Sequence, residues 1–408
     1  MNEGFFSRKE TESLSRLDGK LLTCASCGLY KLCKSPKMKP VGEFKKKIMI
    51  IGDAPNEADD KAGMPWQGKD GRLLQQACRK LKVDIFRDCI SMNATSCRPM
   101  GQDKGISIPS NYEIECCRRF VIQAINEYKP ALILLLGQAA AFSVIGHRWK
   151  RNFGKIDKWR GWTIPDTDFN TWICPTYAPN LIDRVKAIEL ETIWTQDLQR
   201  AFSLVNTPLP EYKKPEIVTI EDLSILKDIP NVHVAIDYET TGIKPHAEGH
   251  RIVCASVAIS PDFAYVFMMP QSKKERQPFI DLLASDRPKI AANMKFEEHW
   301  SVVKLRQSVN NWQWDTMLTA HLLDNRPDIS GLKFQAYVNF GVVDYSSEID
   351  PWLHSDNTSG NAMNKILQLI ESKQGKQNLL HYCGLDAIYE YRLAMKQMNL
   401  INPDDLPF

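Results

Sequence analysis

Two carboxylates stand one residue apart in the stretch AIDYETTG (235–242), where an apolar run leads into a glycine turn. Side chains two residues apart on a strand point to the same face, so Asp237 and Glu239 would lie side by side. Like charges at that distance repel each other unless a positive charge lies between them. The pair therefore predicts a metal site at the end of a strand.

Three further stretches carry acids in order along the second half of the chain. Glu297 lies in ANMKFEEHW, Asp315 in WDTML and Asp386 in HYCGLDAI, where Tyr382 precedes the acid by four residues. Residues four apart on a helix share a face. We therefore expect Tyr382 and Asp386 to point in the same direction.

Acids from separate segments are what a pair of divalent ions needs as ligands. Two such ions about 4 Å apart activate a water and stabilise the leaving oxygen of a phosphodiester. We predict that four carboxylates hold two Mg²⁺ or Mn²⁺ ions, while Tyr382 positions the attacking water. The four are Asp237, Glu239, Glu297 and Asp386.

This ordered set resembles the DEDD family of 3'-5' exonucleases, in particular the proofreading domain of the bacterial DNA polymerase I type. The family's Asp-x-Glu and Tyr-x-x-x-Asp motifs match the residues at 237, 239, 382 and 386. Its second motif is an Asn followed four residues later by an acid, which matches Asn293 and Glu297. The family usually has Asp at the last of these positions.

The resemblance covers roughly residues 214–400 and implies a ribonuclease H-like (DnaQ-like) α/β fold. A histidine variant of the family places His five residues before the final Asp, and His381 stands at that spacing. We favour Tyr382 as the catalytic aromatic residue, because the Asn-x-x-x-acid spacing and WDTML resemble the polymerase branch.

Thiols are concentrated in the first half, where nine of the eleven cysteines precede residue 175. CASCGLYKLC (24–33), NATSCRP (93–99) and ECCRRF (115–120) bring them from three places. A Cys-x-x-Cys with two distant cysteines can hold zinc or an iron–sulfur cluster, since both accept four thiolates. Only one Cys-x-x-Cys is present, which favours the cluster over zinc.

Roughly residues 20–205 resemble the uracil-DNA glycosylase superfamily, in particular its family 4 members with a 4Fe-4S cluster. The resemblance implies a three-layer domain with a parallel sheet. It also implies four cluster ligands, with Cys33 and Cys116 as alternatives. The four are Cys24, Cys27, Cys97 and Cys117.

The same resemblance implies a base pocket. The family's Gly-Glu-Ala/Gly-Pro-Gly loop reads GDAPN (52–56) here, so that Asp53 replaces the longer acid. Trp66 stands where the family has a phenylalanine that stacks on the flipped base, and Asn93 matches the asparagine that reads the uracil edge. A glycosylase must unstack a nucleotide, stack it on an aromatic face and read its edge.

One part of the pocket differs from the family. A histidine that stabilises the departing uracil anion is replaced by Ala178 in PTYAPN (175–180). Loss of one donor aimed at a developing anion costs about a hundredfold to a thousandfold in rate. We therefore expect a weak or inactive glycosylase that serves as a DNA-binding module.

These site residues require strands that end beside them. KKKIMIIGDAP (45–55) and ALILLLGQAAA (131–141) are typical of buried parallel strands, whose carboxyl ends gather ligands. VHVAIDYETTG, RIVCASVAIS and AYVFMMP predict three more strands. From about residue 276 the pattern turns helical, with QWDTMLTAHLLD and NLLHYCGLDAIYEYRLAMKQM as amphipathic stretches.

A linker is predicted at NTPLPEYKKPE (206–216), which has three prolines and no apolar periodicity. The predicted organisation has four parts. They are an N-terminal tail (1–20), the glycosylase-like domain (21–205), the linker (206–213) and the exonuclease domain (214–408).

Charge is distributed unevenly. Residues 1–200 carry 32 Lys and Arg against 23 Asp and Glu, or +9, whereas residues 201–408 carry 20 against 26, or −6. A basic half favours a polyanionic partner such as DNA. The stretch HRWKRNFGKIDKWRGW (147–162) alternates such cations with aromatic rings, a pattern that suits single-strand binding and also an amphipathic core segment.

We expect a soluble, cytoplasmic protein, since the sequence has neither a signal peptide nor an apolar run of membrane-spanning length. The pairing of domains is similar to the front part of some lytic-phage DNA polymerases. No polymerase region follows LINPDDLPF, so we expect the protein to proofread or trim DNA ends beside a separately encoded DNA polymerase. The alternatives are an active uracil-repair enzyme, a non-catalytic DNA-binding protein and an RNA exonuclease.

Overall fold

The computed structural model describes residues 16–17, 20–99, 108–357, 359 and 361–401. The predicted N-terminal tail therefore lies mostly outside the described residues. The chain divides into two compact units. The first comprises the described part of Met1–Pro210 with Val338–Val343, and the second comprises Glu211–Tyr337 with the described part of Asp344–Phe408.

The first unit is built around a five-stranded sheet in the order β4-β3-β5-β7-β6, in which only β6 is antiparallel to its neighbour. Its strands, with a short β1/β2 hairpin before them, are β1 (Arg16–Leu17), β2 (Lys20–Leu21), β3 (Ile48–Gly52), β4 (Cys89–Asn93), β5 (Leu132–Leu136), β6 (Ile164–Asp166) and β7 (Thr171–Thr176). Its helices are α1 (Glu57–Ala62), α2 (Lys69–Lys80), α3 (Asn111–Tyr128), α4 (Gln138–Val144), α5 (Ile156–Trp159), α6 (Pro179–Val185) and α7 (Ile188–Ser203), with a 3-10 turn at Leu29–Lys31.

The parallel strands of this sheet end in one row. Their register pairs Gly52 with both Asn93 and Leu136, and Leu136 in turn with Thr176. Every residue of β3, β4 and β5 is buried, as expected of strands covered by helices on both faces. The loops that follow these strands therefore meet at one edge of the sheet.

The second unit has a six-stranded mixed sheet in the order β13-β12-β9-β10-β11-β8. Its strands are β8 (Glu216–Thr219), β9 (Val234–Thr240), β10 (Ile252–Ser260), β11 (Phe263–Met268), β12 (Lys289–Ala291) and β13 (Trp312–Asp315). The strands β9, β10 and β11 form an antiparallel meander, and β12 and β13 continue parallel to β9.

Helical segments fill much of the remainder of residues 211–401. They are α8 (Lys273–Ala284), α9 (Met294–Trp300), α10 (Thr316–Leu323), α11 (Leu332–Phe340), α12 (Ile366–Leu369) and α13 (Lys373–Leu400), with 3-10 turns at Leu223–Asp228 and Asp350–Trp352 and a π turn at Ser301–Leu305. The long helix α13 lies directly on the sheet: a Cβ at Gly384 would come within 2.7 Å of the Ile217 side chain. Glycine at this position lets the helix approach the strands closely.

The predicted fold class of two successive α/β units is confirmed, with a largely parallel sheet in the first unit and a mixed sheet in the second. The helical prediction for QWDTMLTAHLLD is wrong at its start, because Trp312–Asp315 pairs with β12 as a strand and the helix begins at Thr316. None of the described helices is long and apolar enough to cross a membrane.

Asp315 links β13 to the two helices beside it. Its side chain accepts hydrogen bonds from the backbone N–H groups of Met317 and Leu318 at the start of α10. It also accepts from Asn293 and Met294 at the start of α9. Both carboxylate oxygens are thus used by backbone donors, and Asp315 has a structural role.

Replacing Asp315 by Ala should lower the free energy of unfolding by about 2 kcal/mol, since two helix starts lose their acceptor. Urea denaturation monitored by circular dichroism measures the loss. Asp315→Asn keeps one acceptor oxygen and should lose less. An Asp315→Ala variant as stable as the parent protein would contradict this role.

Candidate functional site

Asp237 and Glu239 lie on β9, the strand that joins the antiparallel and parallel parts of the sheet. Asp237 is partly buried and Glu239 is 7% exposed. Their ligand atoms and Sγ of Cys383 all lie within 4.8 Å of one another. The Cys383 thiol donates to Oδ2 of Asp237 at 3.5 Å. The expected juxtaposition of the two acids is therefore present.

Asp386 reaches the same place from α13. Its Oδ1 accepts a hydrogen bond from the Tyr345 hydroxyl at 2.5 Å and forms an ion pair with Lys333. Lys333 Nζ also lies 4.3 and 4.2 Å from the ring centroids of Tyr345 and Tyr382. A cation is thus fixed between two aromatic rings beside the carboxylates.

Tyr382, and not His381, faces the carboxylates. Tyr382 is buried, and burial together with the charges of Asp386, Glu239 and Asp237 raises the pKa of its hydroxyl. His381 is exposed, and burial of part of its ring together with Lys214 lowers its pKa. One position along a helix turns the side chain by about 100°, which separates the two.

Glu297 enters the centre from α9. It is 3% exposed, and its Oε2 is buried with no hydrogen-bond partner among the described residues. Burial, followed by the charges of Asp237 and Asp315, raises the pKa of Glu297. An unsatisfied, buried carboxylate oxygen beside another acid is an arrangement that a cation would stabilise.

The raised pKa values of the acids on β9 also indicate that the centre suits bound cations. Burial and then the charge of Asp386 raise the pKa of Asp237 to about 7. Burial and then Asp237 raise the pKa of Glu239. Carboxylates held together in this way ionise fully only when positive charge is added, so the residues fit a pair of divalent cations.

Four residues of this centre are absent from the sequence-based prediction. They are Lys333, Tyr345, Cys383 and Glu390. Glu390 is 2% exposed, and burial followed by the charges of Asp237, Glu297 and Asp386 raises its pKa. The four-residue spacing from Tyr382 through Asp386 to Glu390 could have revealed this acid, whereas no local pattern marks the others.

In the first unit, the row of strand ends brings two predicted pocket residues together. A Cβ at Gly52 would lie 2.5 Å from Oδ1 of Asn93 and 2.7 Å from Cη2 of Trp66. The asparagine amide and the indole ring therefore both adjoin the same backbone carbon. Trp66 is only 6% exposed and packs in the hydrophobic core, and its Nε1 has no partner among the residues described.

Asp53 follows Gly52 and turns towards α4. Its Oδ1 accepts hydrogen bonds from the backbone N–H groups of Ala139 and Ala140 at 2.7 and 3.0 Å. Burial, partly offset by these two bonds, raises the pKa of Asp53 to about 6. The carboxylate is therefore used to hold the start of α4.

Ala178 is partly exposed and lies at the N-cap of α6, where it contributes only a methyl group. The neighbouring Tyr177 donates its hydroxyl to Asp157 at 2.7 Å. Burial and then Asp157 raise the pKa of Tyr177 to about 12. Position 178 therefore offers no side-chain hydrogen-bond donor on this side of the candidate pocket.

The cysteines of three segments converge, and all are free thiols. Burial and then the nearby Cys33 and Cys24 raise the pKa of Cys97 to about 11, and Lys37 N–H donates to Sγ of Cys97 at 3.2 Å. The pKa of Cys117 is raised to about 12 by burial and then by three of these thiols. These three thiols belong to Cys27, Cys97 and Cys24.

The thiol spacing distinguishes two kinds of metal site. One zinc ion holds its sulfurs about 2.3 Å away and hence about 3.8 Å from one another. Among the described residues, only the group of Asp237, Glu239 and Cys383 brings three ligand atoms within 4.8 Å of one another. Among the described residues, no three of these thiols therefore lie as close together as the ligands of one zinc ion do.

The basic and aromatic stretch at 147–162 lies partly in the core and partly at the surface. Phe153 and Trp159 are buried and stacked on each other, with centroids 4.9 Å apart. Arg148 forms an ion pair with Asp166. Three cations on the stretch are exposed, namely Lys150, Arg151 and Lys155.

Comparison with known proteins identifies the first half. Residues 39–199 match the model of the uracil DNA glycosylase superfamily. A type-4 uracil-DNA glycosylase of Pyrobaculum aerophilum is 30% identical over 184 residues, which cover 44% of this chain and 88% of that protein. One of Thermotoga maritima is 28% identical over 183 residues, covering 45% and 89%. The chain belongs to the uracil-DNA glycosylase superfamily and, within it, to the type-4 family.

Solved structures with some similarity to this chain include nucleases. Brucella melitensis NrnC with bound Mg²⁺ is 20% identical with a TM-score of 0.32, covering 46% of this chain and 80% of that one. The EXO domain of Aedes aegypti Nibbler is 13% identical with a TM-score of 0.33, covering 47% and 94%. Both scores are low, and neither similarity defines a function.

Titration of Asp53 should appear in the pH dependence of stability. Between about pH 4 and 6 the folded protein keeps a proton that the unfolded chain releases. The stabilising contribution of protonated Asp53 to the free energy of unfolding is therefore complete below about pH 4. It decreases as the pH rises to about 6, and the effect of Asp53 on stability does not change above that pH. The Tm of Asp53→Asn relative to the parent should rise across this window.

Differential scanning calorimetry at a series of pH values measures that difference. Glu127→Gln, which changes an exposed carboxyl on α3, is the matched control. A Tm difference for Asp53→Asn that does not change with pH would show that this carboxyl is not perturbed in the folded protein.

Proposed function

We propose that residues 214–408 are a two-metal-dependent 3'-5' exonuclease that acts on DNA ends, and that residues 21–205 are a glycosylase-like DNA-binding domain joined to it by the linker 206–213. The observation that carries the proposal is the convergence of acids from β9, α9 and α13 on one buried centre. Tyr382 lies beside them.

The chemistry follows from the ligand set. When bound by these carboxylates, divalent cations would supply the Lewis acid that activates a water and stabilises the leaving 3' oxygen. A tyrosine hydroxyl is protonated at neutral pH, and burial and the neighbouring acids raise the pKa of Tyr382 further, so this hydroxyl can orient that water. Lys333 and Tyr345 hold the Asp386 carboxylate in one orientation.

Two features support DNA as the substrate. The first half belongs to a family whose named members are uracil-DNA glycosylases. The same half carries the excess of positive charge, +9 over residues 1–200, which suits a polyanion. We further propose a separately encoded DNA polymerase as the partner, since the set of exonuclease motifs resembles a proofreading domain.

Uracil excision is proposed to be weak or absent. Ala178 provides no donor for a departing anion. Asp53 is engaged by the backbone of α4, and the Trp66 ring packs against Gly52 beside Asn93. Active excision is the second candidate function, favoured by the family membership and by the placement of Asn93 at the strand ends.

The exonuclease is tested with 5'-labelled DNA that has a mismatched 3' end, incubated with Mg²⁺ or Mn²⁺ or with EDTA. We expect a metal-dependent ladder that shortens from the 3' end. Asp237→Ala should reduce the rate by about a thousandfold, because a carboxylate that would hold the cations is lost.

The matched control is Asp228→Ala, an exposed acid in the same unit. An RNA strand of the same sequence tests the preference for deoxyribose. Absence of a ladder with either metal, or an unchanged rate for Asp237→Ala, would overturn the proposed exonuclease.

Uracil excision is best measured in the Asp237→Ala background, where the DNA should stay intact. Double-stranded DNA with one uracil is treated with protein and then with hot alkali, which breaks the strand at abasic sites. Ala178→His restores a donor and should raise excision by about a hundredfold. Strong uracil excision by the protein that keeps Ala178, with no increase in the Ala178→His variant, would contradict the proposal of a weak glycosylase.

The cluster is tested by chemical analysis of protein purified without oxygen. We expect about four iron atoms and four sulfide ions per chain. Cys97→Ser and Cys117→Ser should lose both, whereas Cys33→Ser should keep them. One zinc ion per chain, without iron or sulfide, would show that the thiols form a different site.

A further inference from the structure

Glu390 shares a face of α13 with two residues of the carboxylate centre. It lies four residues after Asp386, which lies four residues after Tyr382. Residues at this spacing follow one another along one side of a helix. The charges of Asp237, Glu297 and Asp386 all raise the pKa of Glu390, whose side chain is 2% exposed.

One part of the Glu390 carboxylate has a structural partner. The backbone N–H of Ala292, in the turn between β12 and α9, faces this carboxylate and partly offsets the rise in the pKa of Glu390. The other oxygen, Oε2, is buried and has no partner in the part of the chain that the structure describes. The Oε2 atom of Glu297, on α9, is also buried and has no hydrogen-bond partner among the described residues.

Two unsatisfied acceptor atoms on carboxylates that are 2% and 3% exposed are costly in a folded protein. Backbone capping explains one oxygen of Glu390 but not the other. A glutamine would cap Ala292 equally well and would avoid a buried charge. The arrangement therefore indicates that the second oxygen has a cationic partner.

The charge balance of the centre also favours a cationic partner for Glu390. Five carboxylates carry −5 when ionised, and Lys333 contributes +1, which leaves −4. Two divalent cations supply +4, so the centre with Glu390 is neutral when both are bound. The five acids are Asp237, Glu239, Glu297, Asp386 and Glu390.

We propose that Glu390 is a fifth carboxylate ligand of the centre and that, with Glu297, it binds a divalent cation next to Asp237. The inference rests on the proposed metal-dependent function and adds a ligand to its acidic set. Because Lys333 occupies one oxygen of Asp386, Glu390 supplies an additional charged oxygen one turn further along the same face of α13.

Glu390→Gln tests the proposal because it keeps the shape and the Ala292 acceptor while removing the charge. Mn²⁺ binding to the full chain is measured by electron paramagnetic resonance and titration calorimetry, without DNA. We expect the parent protein to bind two ions at the centre, and the variant to bind one of them at least tenfold more weakly. Glu371→Gln, an exposed acid, is the control and should match the parent.

If Glu390→Gln does not fold, Glu390→Asp replaces it, since the shorter side chain keeps the charge but withdraws it from the cation. Mn²⁺ binding equal to that of the parent in the folded variant would overturn the inference and leave the exonuclease proposal intact. A parent protein that binds Mn²⁺ but does not degrade DNA would overturn the exonuclease alone. A parent protein that binds no Mn²⁺ would overturn both.

Discussion

Carboxylates buried beside one another must be neutralised, and the second unit is organised around that constraint. Asp237 and Glu239 come from the strand at the middle of the sheet, and acids from α9 and α13 are added to them. Lys333 is the cation that the described structure places among them, fixed between the rings of Tyr345 and Tyr382. One lysine leaves most of the negative charge uncompensated, which is why the centre suits divalent ions.

The sheet supports this arrangement through close packing of its covering helix. Gly384 allows α13 to approach β8 and β11, and the approach brings the next turn of the helix to the end of β9. Asp315 fixes the turn before α9 with its two oxygens and so determines where Glu297 enters. Asp315 thus positions the helix, whereas Glu297 contributes its carboxylate to the centre.

In the first unit, the candidate pocket also lies at the ends of sheet strands. Gly52, Asn93, Leu136 and Thr176 form one row, and the loops after them carry the candidate pocket. The acid of this pocket caps a helix, and the position that would stabilise an anion holds alanine. These two features are the basis for the proposal that the first unit recognises DNA and excises uracil weakly or not at all.

Much of this could be predicted from the sequence, because ordered motifs and apolar runs are local signals. The pairs at 237 and 239 and at 382 and 386, and the strands before them, are examples. Lys333, Tyr345 and Cys383 could not be found, because their partners are distant in sequence and single residues of these types carry no pattern. Phe153 and Trp159 show the opposite error, since aromatic residues among cations can equally well form a core.

The most direct test is a crystal of the full chain soaked in Mn²⁺ and measured with anomalous scattering. The account predicts two anomalous peaks among Asp237, Glu239, Glu297 and Asp386, with the Glu390 carboxylate beside one of them. Crystals that show no peak at this centre, with Lys333 alone neutralising the acids, would contradict the claim that buried carboxylates here assemble a metal-dependent site.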